Sequence, residues 1–145
     1  MSYLTNFVKE VQFKVCLGTL SMSTYAESSV YGISSLTGSF TPSVTSGIIT
    51  LPAGRYMLEA YPYVNQATTE DQIRFIWQEN SSGSFSDVGI EGQIQVSGDA
   101  VGERDIALAV IDKSSNTDVR LIVKTLTSPG TPTSDGGCIV IWKEE

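Results

Sequence analysis

Hydrophobic and polar residues alternate with a period of two along most of this chain, and the pattern is cleanest from Gly47 to Val64, GIITLPAGRYMLEAYPYV. Ile48 to Leu51 is a short β-branched run, and Leu51-Pro52-Ala53-Gly54 fits a type I turn with Pro second and Gly fourth. A second strand leaves the turn, so a hairpin is expected. From Tyr56 the side chains divide by parity. Tyr56, Leu58, Ala60, Pro62 and Val64 make a plain core face. Arg55, Met57, Glu59, Tyr61 and Tyr63 make the other, and Met with two Tyr beside one Arg and one Glu matches the mix enriched where one protein meets another. The sheet is therefore expected to have a second buried side, facing another subunit.

The same period recurs on both flanks of this stretch. Val11, Phe13, Val15 and Leu17 share a face, with Gln12, Lys14, Cys16 and Gly18 opposite. Half of the residues from Thr19 to Ser46 are Ser or Thr, and the apolar ones come singly, which predicts short edge strands and loops. Ile73, Phe75 and Trp77 line one side of a strand over 72–79 whose other side carries Gln72, Arg74, Ile76 and Gln78. Asn80-Ser81-Ser82-Gly83 reads as a turn, followed by brief strands at 85–90 and 93–96 separated by Gly92. Ile106, Leu108 and Val110 alternate with Asp105, Ala107 and Ala109, and Val119, Leu121 and Val123 alternate with Arg120, Ile122 and Lys124. These two runs are expected to form a hairpin around Asp112 to Asp118, the small alanines permitting close approach of a neighbouring sheet or subunit. Cys138 to Lys143 is a closing strand. Eight to ten strands, no helix and turns about every ten residues predict an all-β sandwich or barrel.

Composition narrows the function. A chain of 145 residues suits one domain that folds without disulfide or metal, here an N-terminal arm at 1–10 and a β domain at 11–145. A formal charge of −7 with only nine scattered basic residues argues against nucleic acid as a partner. No apolar run has the length of a membrane span, and the first residues lack a signal peptide's apolar segment, so no membrane partner is expected. Histidine is absent, which removes His-based triads and HExxH zinc sites and weighs against an enzyme. Cys16 and Cys138 are expected to be two separate structural thiols, with one bond between them as the alternative.

No chemical motif survives inspection. Asp112 to Asp118 places oxygens at alternate positions, but Thr117 stands where a calcium loop needs its sharp-turn Gly and Val123 where it needs its bidentate Glu. Glu70-Asp71 and Glu144-Glu145 are adjacent carboxylates of the solvated kind. No catalytic, cofactor or metal residue is assigned. What remains is Met57, Tyr61, Tyr63, Arg74, Ile76 and Arg120, on strands whose other face is core. Such residues either line a subunit seam or spread their Tyr and Arg stems over partly exposed apolar surface. Their clustering favours the seam.

With GIITLPAGRYMLEAYPYV followed by DQIRFIWQE and closed by GGCIVIWKEE, the chain resembles the complement-head/tumour-necrosis-factor-like trimeric jelly rolls, in the version found among tailed-bacteriophage structural proteins. The likeness covers about residues 40 to 145. It implies a jelly-roll β-sandwich of about ten antiparallel strands forming a homotrimeric knob, one sheet of each protomer near the three-fold axis. A knob that begins its first strand by Val11, without a stalk of repeats, resembles a capsid decoration (cement) protein. Such a protein sits on the outer surface of the virion and binds the major capsid protein non-covalently. The alternative that the resemblance carries is the tip of a tail or head fibre that binds a receptor or host surface glycan.

Overall fold

The structure is a computed structural model that describes residues 12–65, 71–97, 100–127 and 134–145. Residues 1–11, and with them the expected arm at 1–10, lie outside the described residues. Among the described residues eleven strands run in order: β1 (Phe13–Ser21), β2 (Gly32–Gly38), β3 (Ser43–Thr45), β4 (Ile48–Leu51), β5 (Gly54–Asn65), β6 (Asp71–Ser81), β7 (Ser84–Ser97), β8 (Ala100–Arg104), β9 (Ala107–Lys113), β10 (Thr117–Leu126) and β11 (Ser134–Glu144). Every pairing is antiparallel. The first sheet has the order β2-β1-β11-β5-β9 and the second β3-β4-β10-β6-β7-β8. A single residue pair, Ile90 with Leu108, ties β7 to β9 and joins the two sheets. The architecture is the expected all-β jelly roll.

Two expected hairpins turn out to be corners. The Leu51–Gly54 turn is present, but β4 pairs with β10 and β3 while β5 pairs with β11 and β9. Likewise β9 lies in the first sheet and β10 in the second. A turn signal reverses the chain without naming the partner. Both strands at each corner carry a full core face, and such faces are buried by lying opposite each other across the sandwich. The Tyr56 hydroxyl pins the first corner by donating to the Pro52 carbonyl at 2.8 Å. A true hairpin joins β6 to β7: Ser81 pairs with Ser84, and Ser82 and Gly83 both have positive φ, at 59° and 91°. That is the mirror-image turn whose twist suits paired strands.

The core is built by matching volumes across the sandwich. Trp77, Phe75, Ile73 and Leu121 from the second sheet are fully buried, as are Leu58, Ala60, Ala107 and Ile139 from the first. Ala107 and Ala109 point inward, and the Trp77 indole N–H donates to the Ala107 carbonyl at 3.3 Å. The alanines thus admit the opposite sheet of the same copy. On β7, Gly92 is required where the strand crosses the Phe75 ring, since a Cβ there would stand 2.5 Å from two ring carbons. The strand runs unbroken through this glycine from Ser84 to Ser97, instead of splitting in two.

The Ser/Thr-rich segment behaves as edge structure, and β2 and β3 are the outermost strands of their sheets. Between β1 and β2 the chain lies along β10. Ser28 donates to Val123 at 2.8 Å, Tyr31 to Leu121 at 2.9 Å, and Val123 back to Ser29 at 2.9 Å. This places Tyr25 and Tyr31 in the core, their rings edge-on at 6.0 Å.

Candidate assembly surface

Parity along the outer face of the first sheet sets its side chains in rows across the strands. Val15, Trp142, Met57 and Val110 form one row. The next holds Leu17, Val140, Glu59, Leu108 and, across the sheet junction, Ile90. Beyond it stand Thr19, Cys138 and Tyr61, then Tyr63 opposite Gly136. On the opposite side lies a polar row of Glu144, Arg55 and Asp112 with Phe13 at its edge. The face is thus a broad apolar field with a charged margin. Its flanks are the most open: Phe13 is 55% exposed, Leu17 48%, Val110 54% and Ile90 66%.

Two details mark this field as chemically unfinished. A cleft of about 340 Å³ opens at the charged margin between Phe13, Arg55, Met57, Val110, Trp142 and Glu144. The Phe13 ring stands edge-on to Trp142 at 6.2 Å, and the buried Trp142 Nε1–H has no hydrogen-bond partner in the described structure. A buried donor without an acceptor is costly. Within the field the Tyr61 hydroxyl donates to Glu59 Oε2 at 2.8 Å. That bond, with lesser help from burial, holds the Tyr61 phenol above its usual range, so it stays a neutral donor.

The outer face of the second sheet is finished. Arg120 Nε donates to Gln78 Oε1 at 2.9 Å, and Gln78 Nε2 donates to Asp87 at 2.9 Å. Lys124 pairs with Asp87 at 3.2 Å and Glu91 at 3.3 Å, and Arg74 completes the chain to Glu91 at 3.2 Å. The Gln78 amide, aided by Lys124, draws the Asp87 carboxyl below its usual range against the effect of burial. Arg120 also lies over the Phe85 ring, 4.0 Å from its centroid. Flanked by this network, Ile76 and Ile122 face each other across β6 and β10 and are only 4% and 5% exposed.

The six residues expected at a seam therefore divide. Met57, Tyr61 and Tyr63 share the apolar field on β5, whereas Arg74, Ile76 and Arg120 occupy the self-paired face of the other sheet. The field also includes residues whose face alternation left unassigned: Phe13, Val15, Leu17, Leu108 and Val110 all face outward. The missed signal was size. Gly18 lies against Leu36 and Ile139, and Ala107 takes the Trp77 indole, so small residues fill these inward positions of β1 and β9 beside the bulk of others. Both cysteines are free, Cys16 buried and Cys138 exposed beside Tyr61. Among the described residues no cluster of His, Cys, Asp or Glu could hold a metal ion.

No protein-family model matches the chain, and no curated protein matches its sequence. Solved structures do match in shape. The Eiger TNF structure from S. frugiperda superposes with a TM-score of 0.56 over 93% of both chains at 11% identity. The crystal structure of murine APRIL at pH 8.0 gives 0.55 over 91% of this chain and 99% of that one at 12% identity. The fold is that of the TNF-like jelly rolls.

Proposed function

We propose that this is a structural protein that acts by assembly, a homotrimer closed through the outer face of its first sheet. One observation carries the reading: that face is a broad apolar field interrupted among the described residues by Glu59, while the opposite face is sealed by its own charge network. Exposed apolar fields of this kind mark interaction surfaces. Mixed Tyr, Trp, Met and aliphatic composition is what subunit interfaces use.

In this reading the knob is a virion protein, a decoration or cement protein on the outer surface of a bacteriophage head. It binds the major capsid protein without covalent chemistry, and three joined copies multiply a modest contact by avidity. Support for the virion setting comes from the resemblance of the strand-PAG-strand and GGCIVIWKEE elements. Immunogold labelling of particles in negative stain tests it. Label is expected across the head, and particles lacking the protein should lose heat or osmotic resistance. Label at fibre ends with unaltered resistance would replace it with a receptor- or glycan-binding tip.

A further inference from the structure

The cleft of about 340 Å³ at the charged margin of the first sheet has a volume at the lower end of the range of small-ligand sites. Every group that lines it belongs to one copy, so what it holds does not depend on the proposed assembly. Met57, Val110 and Trp142 come from one row across β5, β9 and β11, and Phe13 adds a ring edge-on to Trp142 at 6.2 Å. The neighbouring row brings Arg55 and Glu144, which are 58% and 36% exposed at the rim. These two charges are loosely matched. Arg55 Nη1 stands 3.5 Å from Glu144 Oε2, well beyond the roughly 2.7–2.9 Å of a strong charge-assisted bond. A guanidinium has several N–H donors and a carboxylate two oxygens, and neither side chain has another partner among the described residues. Asp112 stands across β9 from Arg55, so this margin sets one cation between two carboxylates.

A cation and an anion with spare hydrogen-bonding capacity thus stand side by side above an apolar and aromatic floor. A lone carboxylate entering the cleft would meet Glu144 and Asp112, and a lone ammonium would meet Arg55. A molecule that carries both charges on neighbouring atoms brings no net charge and answers each of the two. We infer that the cleft binds a free apolar α-amino acid. Its carboxylate accepts from Arg55, its ammonium donates to Glu144, and its side chain lies against Phe13, Met57, Val110 and Trp142. An aromatic side chain fits this floor best, because ring pairs gain more than the area they bury. Both charged contacts face water and each adds little, so binding is weak, with a dissociation constant on the order of 1 mM.

Nuclear magnetic resonance of the purified full chain titrated with L-phenylalanine tests this. The chain has two tryptophans, and Trp77, whose indole N–H donates to the Ala107 carbonyl inside the core, is the internal reference. The Trp142 indole N–H signal should shift and saturate while that of Trp77 stays in place. Phenylalaninamide lacks the carboxylate and N-acetylphenylalanine lacks the ammonium, and each should bind about threefold more weakly. Arg55→Gln should weaken phenylalanine by the same factor without weakening phenylalaninamide. Glu144→Gln should weaken phenylalanine without weakening N-acetylphenylalanine, and both variants should keep the parent's circular dichroism spectrum. The inference is overturned by a Trp142 signal that never saturates, by equal binding of the three compounds, or by variants that bind phenylalanine as the parent does.

Discussion

The two outer faces of this sandwich are made from similar strands and end in opposite states. On the second sheet, three cations and two carboxylates pair with one another and with Gln78, and the two isoleucines on that side are almost fully buried. On the first, the described charges other than Glu59, which accepts from Tyr61, withdraw to one margin and leave Phe13, Leu17, Trp142, Met57, Val110 and Ile90 as a field. A protein surface can satisfy polar groups by pairing them locally, but apolar area needs another body to cover it. In the proposed assembly, the difference is that between a face that meets water and one that meets protein.

Charge placed in the field should break the comparison most strongly. Replacing Tyr61 and Tyr63 together with Asp is expected to turn a trimer into monomers in sedimentation velocity, and an unchanged trimer would remove the field's role. The junction between the sheets comes next. Gly89 has φ of 80°, and a Cβ there would stand 2.1 Å from the Leu108 carbonyl oxygen, so Gly89→Ala should force β7 away from β9. A loss of about 1–3 kcal/mol in chemical denaturation is expected, with weaker association because Ile90 shifts. A denaturation curve that overlays the parent would show the junction to be slack.

Smaller effects belong to the sealed face. Arg74→Ala should leave the oligomer intact and cost about 0.5 kcal/mol or less, since Arg74 and Glu91 are an exposed pair. A change in oligomeric state would place this face in the interface after all. The smallest effect is at Asp87, whose depressed folded-state carboxyl contributes stability above the ordinary carboxylate range and loses it as pH falls through the folded value. Thermal scans of Asp87→Asn and the parent should therefore converge below about pH 4 and differ slightly above it. Divergence growing toward low pH would reverse the sign.

Much of the fold is legible in the chain. Alternation locates most of the strands, though it misses β8 and divides β7. Leu51–Gly54 and Asn80–Gly83 mark true turns, and the Ser/Thr-rich segment becomes edge structure. Strand partnership is less legible, because a corner and a hairpin share the same turn residues. The site was half readable: Met57, Tyr61 and Tyr63 stand out since the other side of β5 is unmistakably core. On β1 and β9 both parities are apolar or small, and there alternation assigns two faces without saying which is inside.

By itself, then, the sequence determined that the chain is all-β, where most of its strands lie and which residues of each share a face, because those follow from a backbone with a two-residue repeat. The choice of which face to bury was made only in the tertiary structure. Two sheets about 10 Å apart must fill the space between them without overlap, so Trp77 stands over Ala107 and Phe75 against Gly92, and the larger Leu108 and Val110 of β9 are turned outward.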